Sequence, residues 1–311
     1  MEKTAKRKQL DMLHGSIWNK LPQFALPAVG ANSPIIGLIV NLFIGIALGT
    51  NVVIAHAIGQ GERDDVQKAV HTSVVISVLG GALVALLGEL AAAPLLGILR
   101  IGLPAGIQSA VFAVSNIVIQ SAINSLGTVV MAASSAAFNI EVFTYDILNS
   151  FSQACTTFVG QNFGAGELRR CRKTLALCLI EGVAALAVAI TAILFFGKSL
   201  LAVFNNDPEV IATGYIRLMM VMTSHSFSLF YEVMSGYLRG FGISLAPALL
   251  TMLGVCGVRI AWIQLVFPLN RSFQTIMTAY PISLCTTALL ILIALLWYHP
   301  SKRFAAKKET E

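Results

Sequence analysis

Charge is scarce in this chain. Asp, Glu, Lys and Arg together make 12% of its 311 residues while 56% are apolar, and mean hydropathy is +0.78. An average soluble domain carries roughly a quarter charged residues. The scarcity is also uneven. Residues 34–55, 101–140 and 272–298 contain no Asp, Glu, Lys, Arg or His, and each run exceeds the about 20 residues with which a helix crosses a bilayer. That pattern excludes the soluble classes and predicts an all-α polytopic membrane protein.

Other absences narrow the function. Cys155, Cys171, Cys178, Cys256 and Cys285 form no Cys-x-x-Cys pair and lie mostly inside apolar runs. Neither a zinc site nor a disulfide framework follows, and free buried thiols are expected. A phosphate-binding Gly-rich loop ending in Lys-Ser/Thr is missing, so ATP hydrolysis is not expected. His-Glu-x-x-His, Gly-x-Ser-x-Gly and Cys/His metal spacings are missing too, so no enzyme, cofactor or metal site is expected. Lys and Arg outnumber Asp and Glu by 21 to 15, yet they sit in short runs between apolar segments. Such runs orient helices in a membrane and do not read as a nucleic-acid surface. Lys3, Lys6, Arg7 and Lys8 precede no immediate apolar stretch or cleavage site, so no removable signal peptide is expected.

What is present is a series of about eight apolar spans, near 34–58, 70–96, 103–125, 129–159, 174–197, 209–237, 246–268 and 276–298. Turn chemistry separates them, as in Gly164-Ala165-Gly166, Asn205-Asn206-Asp207-Pro208 and Gly240-Phe241-Gly242. The piece 18–28 is too short to span. Sliding the chain by 105 residues lays Ile58-Gly59-Gln60-Gly61-Glu62 on Phe163-Gly164-Ala165-Gly166-Glu167, and Lys68 on Lys173. Leu26-Pro27 and Leu103-Pro104 open the two copies but lie only 77 residues apart, so the first copy is 105 − 77 = 28 residues shorter, about one helix with its loop. The arithmetic predicts an incomplete first lobe of two transmembrane helices in 1–98 and a complete second lobe of six in 99–311. With both termini inside, 15 of the 21 Lys and Arg fall on the inner side and four outside, including Lys198 and Arg271. The loop at Gly59 then falls outside and its repeat at Gly164 inside, so the first two helices are inverted relative to their copies.

Ionisable groups at membrane depth are functional candidates, because lipid makes them costly. They are Glu89, Glu141, Asp146, Glu181, Arg217, His225, Glu232 and Arg259. Glu89, Glu181 and Arg217 lie near predicted helix ends, where snorkelling explains them. On the span 129–159, Glu141, Tyr145, Asn149 and Ser152 form one stripe, and Asn139, Asp146, Ser150 and Gln153 form another. Two stripes suit a helix with one face inside its lobe and one on a wet cleft; hydrogen bonding between neighbouring helices is the alternative. Glu232 shares a face with Ser228, Ser235 and Arg239. It either exchanges a proton or sodium ion, or pairs with Arg239 or Arg259 to hold the lobe together.

These residues resemble a known family. Gly160-Gln161-Asn162-Phe163-Gly164-Ala165-Gly166, with Asn139-Ile140-Glu141 and Gln153-Ala154 before it, is similar to the second lobe of bacterial multidrug and toxic compound extrusion (MATE) transporters. So are Glu232-Val233-Met234-Ser235-Gly236-Tyr237-Leu238-Arg239-Gly240-Phe241-Gly242 and Gly254-Val255-Cys256-Gly257-Val258-Arg259-Ile260. Gly15-Ser16-Ile17-Trp18 with Leu26-Pro27 is similar to the family's opening. The resemblance implies two six-helix lobes around a cleft, alternating access, and export of amphipathic or cationic compounds across the cytoplasmic membrane against sodium or protons. It implies Glu141, Asp146 and Glu232 as coupling sites, Asn139, Tyr145 and Asn149 as cleft-lining, and Gln161, Asn162, Gly164, Gly166, Arg239 and Arg259 as loop and structural positions. The expected partners are small amphipathic molecules and the bilayer, with no nucleic acid. The departures are large: the family's first helix, which often carries a cation-binding Asp, and its fourth to sixth are missing, and span 103–125 lacks an acid found in some members. A non-transporting remnant, or a half-transporter working as a homodimer, is therefore the alternative. Lipid-linked sugar flipping is disfavoured, because the clustered charges lie in loops.

Overall fold

The computed structural model describes residues 95–300 continuously, together with 16–18, 20–21 and scattered positions between 67 and 82. Among the described residues all regular structure is helical. Six helices follow one another: α1 (Leu95–Asn124), α2 (Thr128–Gly164), α3 (Leu168–Phe204), α4 (Pro208–Gly240), α5 (Leu245–Leu265) and α6 (Phe273–Tyr298). They match the six spans expected after residue 99. The spans expected at 34–58 and 70–96, the turn at Gly59–Gly61 and Glu89 lie outside the described residues or are only sparsely covered by them.

The helices overrun the apolar spans. The span 129–159 becomes Thr128–Gly164 and the span 174–197 becomes Leu168–Phe204, because backbone hydrogen bonding continues past the point where polar side chains begin. Their ends use the expected turn chemistry. Gly166 takes φ 79 in the α2–α3 turn, a left-handed conformation that only glycine adopts cheaply. There the amide of Gly166 donates to Phe163 O and that of Glu167 to Asn162 O, at 2.9 and 2.8 Å. At the start of α4 the Asp207 carboxylate accepts from the Glu209 amide at 2.9 Å, with Pro208 as the first helical residue.

By length and composition α3, α5 and α6 each suffice to cross a membrane. α2 and α4 are longer than α5 and α6 but carry Glu141, Arg217 and Glu232. α4 packs against α2, α6 and α3. The α2–α4 contact is close because Gly236 and Gly240 face it: a Cβ on Gly236 would sit 2.5 Å from Ser152 O, and one on Gly240 2.7 Å from Val159 Cβ. Gly236-Tyr-Leu-Arg-Gly240 is the small-residue spacing that lets membrane helices approach. α5 departs from α-helical winding over Met252–Gly257, a π turn in which Gly254 packs directly on Thr287 of α6.

By internal contacts, residues 1–29 group with 101–311 as one compact unit, and 30–100 form another. Within the first unit Ile17 and Leu21 are buried against a core that includes Leu148, Phe151, Leu229 and Val233. Ile17 and Leu21 thus pack on the bundle. All five cysteines are free, four of them buried and Cys285 half-buried.

Candidate functional site

Glu141 of α2 and Arg217 of α4 meet inside the bundle. Arg217 Nε donates to Glu141 Oε1 at 2.7 Å and Nη2 donates to Oε2 at 2.8 Å, a two-pronged pair in which both side chains are buried. Arg217 Nη1 donates to Ser134 Oγ at 2.6 Å. A carboxylate and a guanidinium match this way because the planar fork presents parallel N–H bonds. Arg217 therefore does not snorkel to an interface. It completes an internal charge pair, and a partner 76 residues away in sequence is invisible to a helix-end argument.

Tyr280 of α6 links this pair to a second arginine. The guanidinium carbon of Arg217 lies 5.8 Å from the Tyr280 ring centre and that of Arg259 of α5 lies 4.3 Å from it. Arg259 Nε donates to Ser283 Oγ at 3.0 Å. The π turn just before Arg259 adds backbone to one turn of α5, which rotates the following residues relative to the preceding ones. His225 of α4 is 8% exposed, and neither ring nitrogen has a hydrogen-bond partner.

The second polar group lies toward the other end of α4. Arg239 Nη2 stands 3.7 Å from Glu232 Oε2 and donates to Ser152 Oγ at 2.9 Å, while Ser152 Oγ donates to Glu232 O at 2.8 Å. Arg239 is thus the partner of Glu232, not Arg259. Ser235, one turn on, has a buried hydroxyl with no partner.

The two stripes expected on α2 do not face two environments. Glu141 and Ser152 are buried in the packing face, whereas Tyr145 is 50% exposed and Asn149 half-buried. At 100° per residue Tyr145 and Asn149 fall about 40° and about 80° round the axis from Glu141, which takes them off the buried arc. In the other stripe Ser150 is buried, Asp146 half-buried and Asn139 exposed with its amide on Ser135 O at 3.1 Å. Glu181 is a further correction: it lies well inside α3, 9% exposed, with both carboxylate oxygens unbonded, and does not reach an interface.

At the α2–α3 turn, Asn162 is fully buried. Its Nδ2 donates to Phe158 O at 2.7 Å, and its Oδ1 accepts from Arg170 Nε at 2.9 Å. Gln161 and Gly164 are exposed. Sequence reasoning passed over Ser134, Tyr280, Ser283 and the Gly236–Gly240 spacing. Ser134 sits seven residues before Glu141 on the same helical face, and Ser283 three residues after Tyr280; those spacings were the available signals. Among the described residues no group of three or more His, Cys, Asp or Glu stands together to hold a metal.

Long apolar helices that bury paired and unpaired charge between them define a polytopic membrane protein whose interior is chemically specialised. The chain belongs to the MatE family, whose model matches residues 10–100 and 104–263. It is 28% identical over 155 residues to the probable multidrug resistance protein NorM of Chromobacterium violaceum, covering 50% of this chain and 33% of that protein. To the probable multidrug resistance protein NorM of Thermotoga maritima it is 24% identical over 180 residues, 57% of this chain and 38% of the other. These matches span little more than a third of the relatives' length. A crystal structure of MATE in complex with MaL6 superposes with a TM-score of 0.61 at 14% identity, covering 86% of this chain and 63% of that one, and so shares the fold.

Proposed function

We propose that the chain works as a cation-coupled antiporter of the cytoplasmic membrane, exporting amphipathic or cationic compounds by alternating access. Family membership and the relatives named as multidrug resistance proteins support the export reading. Glu232 carries the coupling part. Its carboxylate has one cationic neighbour at a loose 3.7 Å, an arginine that also bonds Ser152. A proton or sodium ion can compete for a carboxylate held that way, and Arg239 then turns wholly to Ser152. That change of partners on the α2–α4 contact is a two-state element of the kind coupling requires. Glu141, gripped at 2.7 and 2.8 Å by Arg217, holds the two helices in register, and Asp146, Asn139, Tyr145 and Asn149 supply exposed or half-exposed polar groups along α2.

The test is dye efflux from proteoliposomes under an imposed sodium or proton gradient. Glu232→Gln abolishes gradient-driven efflux while leaving the folded protein intact. Unchanged driven efflux in Glu232→Gln overturns the coupling assignment. The half-transporter reading is favoured by one observation, that residues 1–29 and 101–311 form a compact unit by themselves. It requires a dimer in the transporting sample, which light scattering of the purified protein measures. Absence of transport in every oligomeric form supports the non-transporting remnant.

A further inference from the structure

The start of α3 carries charge that the fold leaves unmatched. Arg169, Arg172 and Lys173 are exposed, and among the described residues none of them has a carboxylate partner. Arg170 differs: it is half-buried and its Nε donates to Asn162 Oδ1 at 2.9 Å. Four cations against Glu167 leave residues 167–173 with a net charge of +3, and the turn at 241–244, at the same end of the bundle, holds no carboxylate. At the opposite end Lys198 and Arg271 are offset by Asp207 and Glu209. Helix stability does not account for the cluster. It occupies the first two turns of α3, the positive end of the helix dipole, where basic side chains are unfavourable, and no acidic residue stands in the first turn.

The depth of these cations and the surface beside them say what they meet. Between Lys173 and Lys198 lie 24 residues, 174–197, whose one charged member is Glu181. At 1.5 Å per residue that stretch is about 36 Å long, a little more than the about 30 Å hydrocarbon core, so Lys173 and Arg172 stand at the headgroup layer with Arg169 one turn further out. At 100° per residue Arg172, Lys173, Ala176, Ile180 and Val183 all fall within about 60° of Arg169. Ala176, Ile180 and Val183 are exposed as the cations are. They occupy the ten residues after Lys173, about 15 Å of helix, which is the depth of one leaflet. Cations at the phosphate level above an apolar strip one leaflet deep match a molecule with an anionic head and acyl chains. A zwitterionic head brings its own cation and leaves the excess charge unmatched.

We propose that this face of α3 binds an anionic phospholipid of the adjoining leaflet, its phosphate held by Arg169, Arg172 and Lys173 and its acyl chains lying on Ala176, Ile180 and Val183. The lipid neutralises the cluster and holds the start of α3 in place. The site is separate from the coupling role given to Glu232, and its test does not read transport. Nor does it read the orienting effect of positive charge, which acts during insertion and is absent in detergent.

Thermal unfolding of the purified full chain in neutral detergent is followed while phosphatidylglycerol, phosphatidylcholine of the same acyl chains, or inorganic phosphate is added. Phosphatidylglycerol raises the midpoint saturably by several degrees, as a ligand of the folded state does. Phosphatidylcholine needs a concentration about tenfold higher for the same shift, and inorganic phosphate gives none. Replacing Arg169, Arg172 and Lys173 together by Gln makes the two lipids equivalent, whereas Lys198→Gln with Arg271→Gln at the other end leaves the preference unchanged. Should the triple variant fail to fold, the wild-type preference is measured against ionic strength and shrinks as salt screens the cluster. Equal responses to the two lipids in the wild type overturn the proposal, as does a preference that survives the triple variant or is indifferent to salt. A shift produced equally by inorganic phosphate overturns it in favour of a free anion.

Discussion

Arg217 and Glu141 form a two-pronged buried ion pair, and its worth lies in what its loss leaves behind. Removing one partner of a buried pair strands the other charge and costs about 3–5 kcal/mol, whereas replacing both with packed apolar groups is often close to neutral. Glu141→Gln and Arg217→Met should each lower the thermal unfolding midpoint markedly, and the double variant should recover most of the loss; denaturation of the three proteins side by side measures this. Glu181 is the opposite case. Its oxygens have no partner, so Glu181→Leu should raise stability by about 1–3 kcal/mol, the typical cost of an unsatisfied buried polar group. An unfolding midpoint equal to or below that of the wild type would show that Glu181 has a partner of its own in the membrane. Sequence spacing placed both residues at membrane depth. It set Glu181 aside as snorkelling near a helix end and could not show which of the two is paired, because pairing is a property of neighbouring helices and not of the helix that carries the residue.

At the scale of elements, the α2–α4 contact organises the molecule. Gly236 and Gly240 bring two backbones together closely enough for Ser152 Oγ to reach Glu232 O and for Thr156 Oγ1 to reach Gly236 O at 2.8 and 3.1 Å. Overpacking a tight contact typically costs about 1–3 kcal/mol, and more where backbone must move. A Cβ on Gly236 meets the Ser152 carbonyl, which is backbone. Gly236→Ala should therefore destabilise more than Gly164→Ala, where nothing lies within 4 Å; comparing the two midpoints separates helix packing from the loss of a glycine as such. The six helices were legible from hydrophobic spans and turn residues. Their lengths were not, since Gly160–Gly164 and Leu168–Lys173 look like loop by composition but extend α2 and α3 by hydrogen bonding. The π turn in α5 was not legible either; within it Gly254 lies directly against Thr287 of α6.

At the scale of the molecule, the alternation of helices puts the turns at 125–127, 205–207 and 266–272 at one end of the bundle and those at 165–167 and 241–244 at the other. The Lys and Arg distribution predicts that the second end faces the cytoplasm. In right-side-out vesicles, a membrane-impermeant thiol reagent should label Lys198→Cys and Arg271→Cys and leave Arg169→Cys unlabelled; all three positions are exposed, and the native cysteines are buried or half-buried. Labelling of Arg169→Cys from outside would invert the topology.

Composition and turn residues by themselves determined that this is a helical membrane protein, which six spans follow residue 99, and, through its motifs, its family. These follow from local physics, since a run of apolar side chains long enough to cross a bilayer has few other stable forms. Only the tertiary structure decided that Arg217 takes Glu141, that Glu232 lies beside Arg239, and that Arg259 stands over Tyr280 and bonds Ser283. Each depends on the distance between helices far apart in sequence, which the packing of small residues sets and no single segment contains.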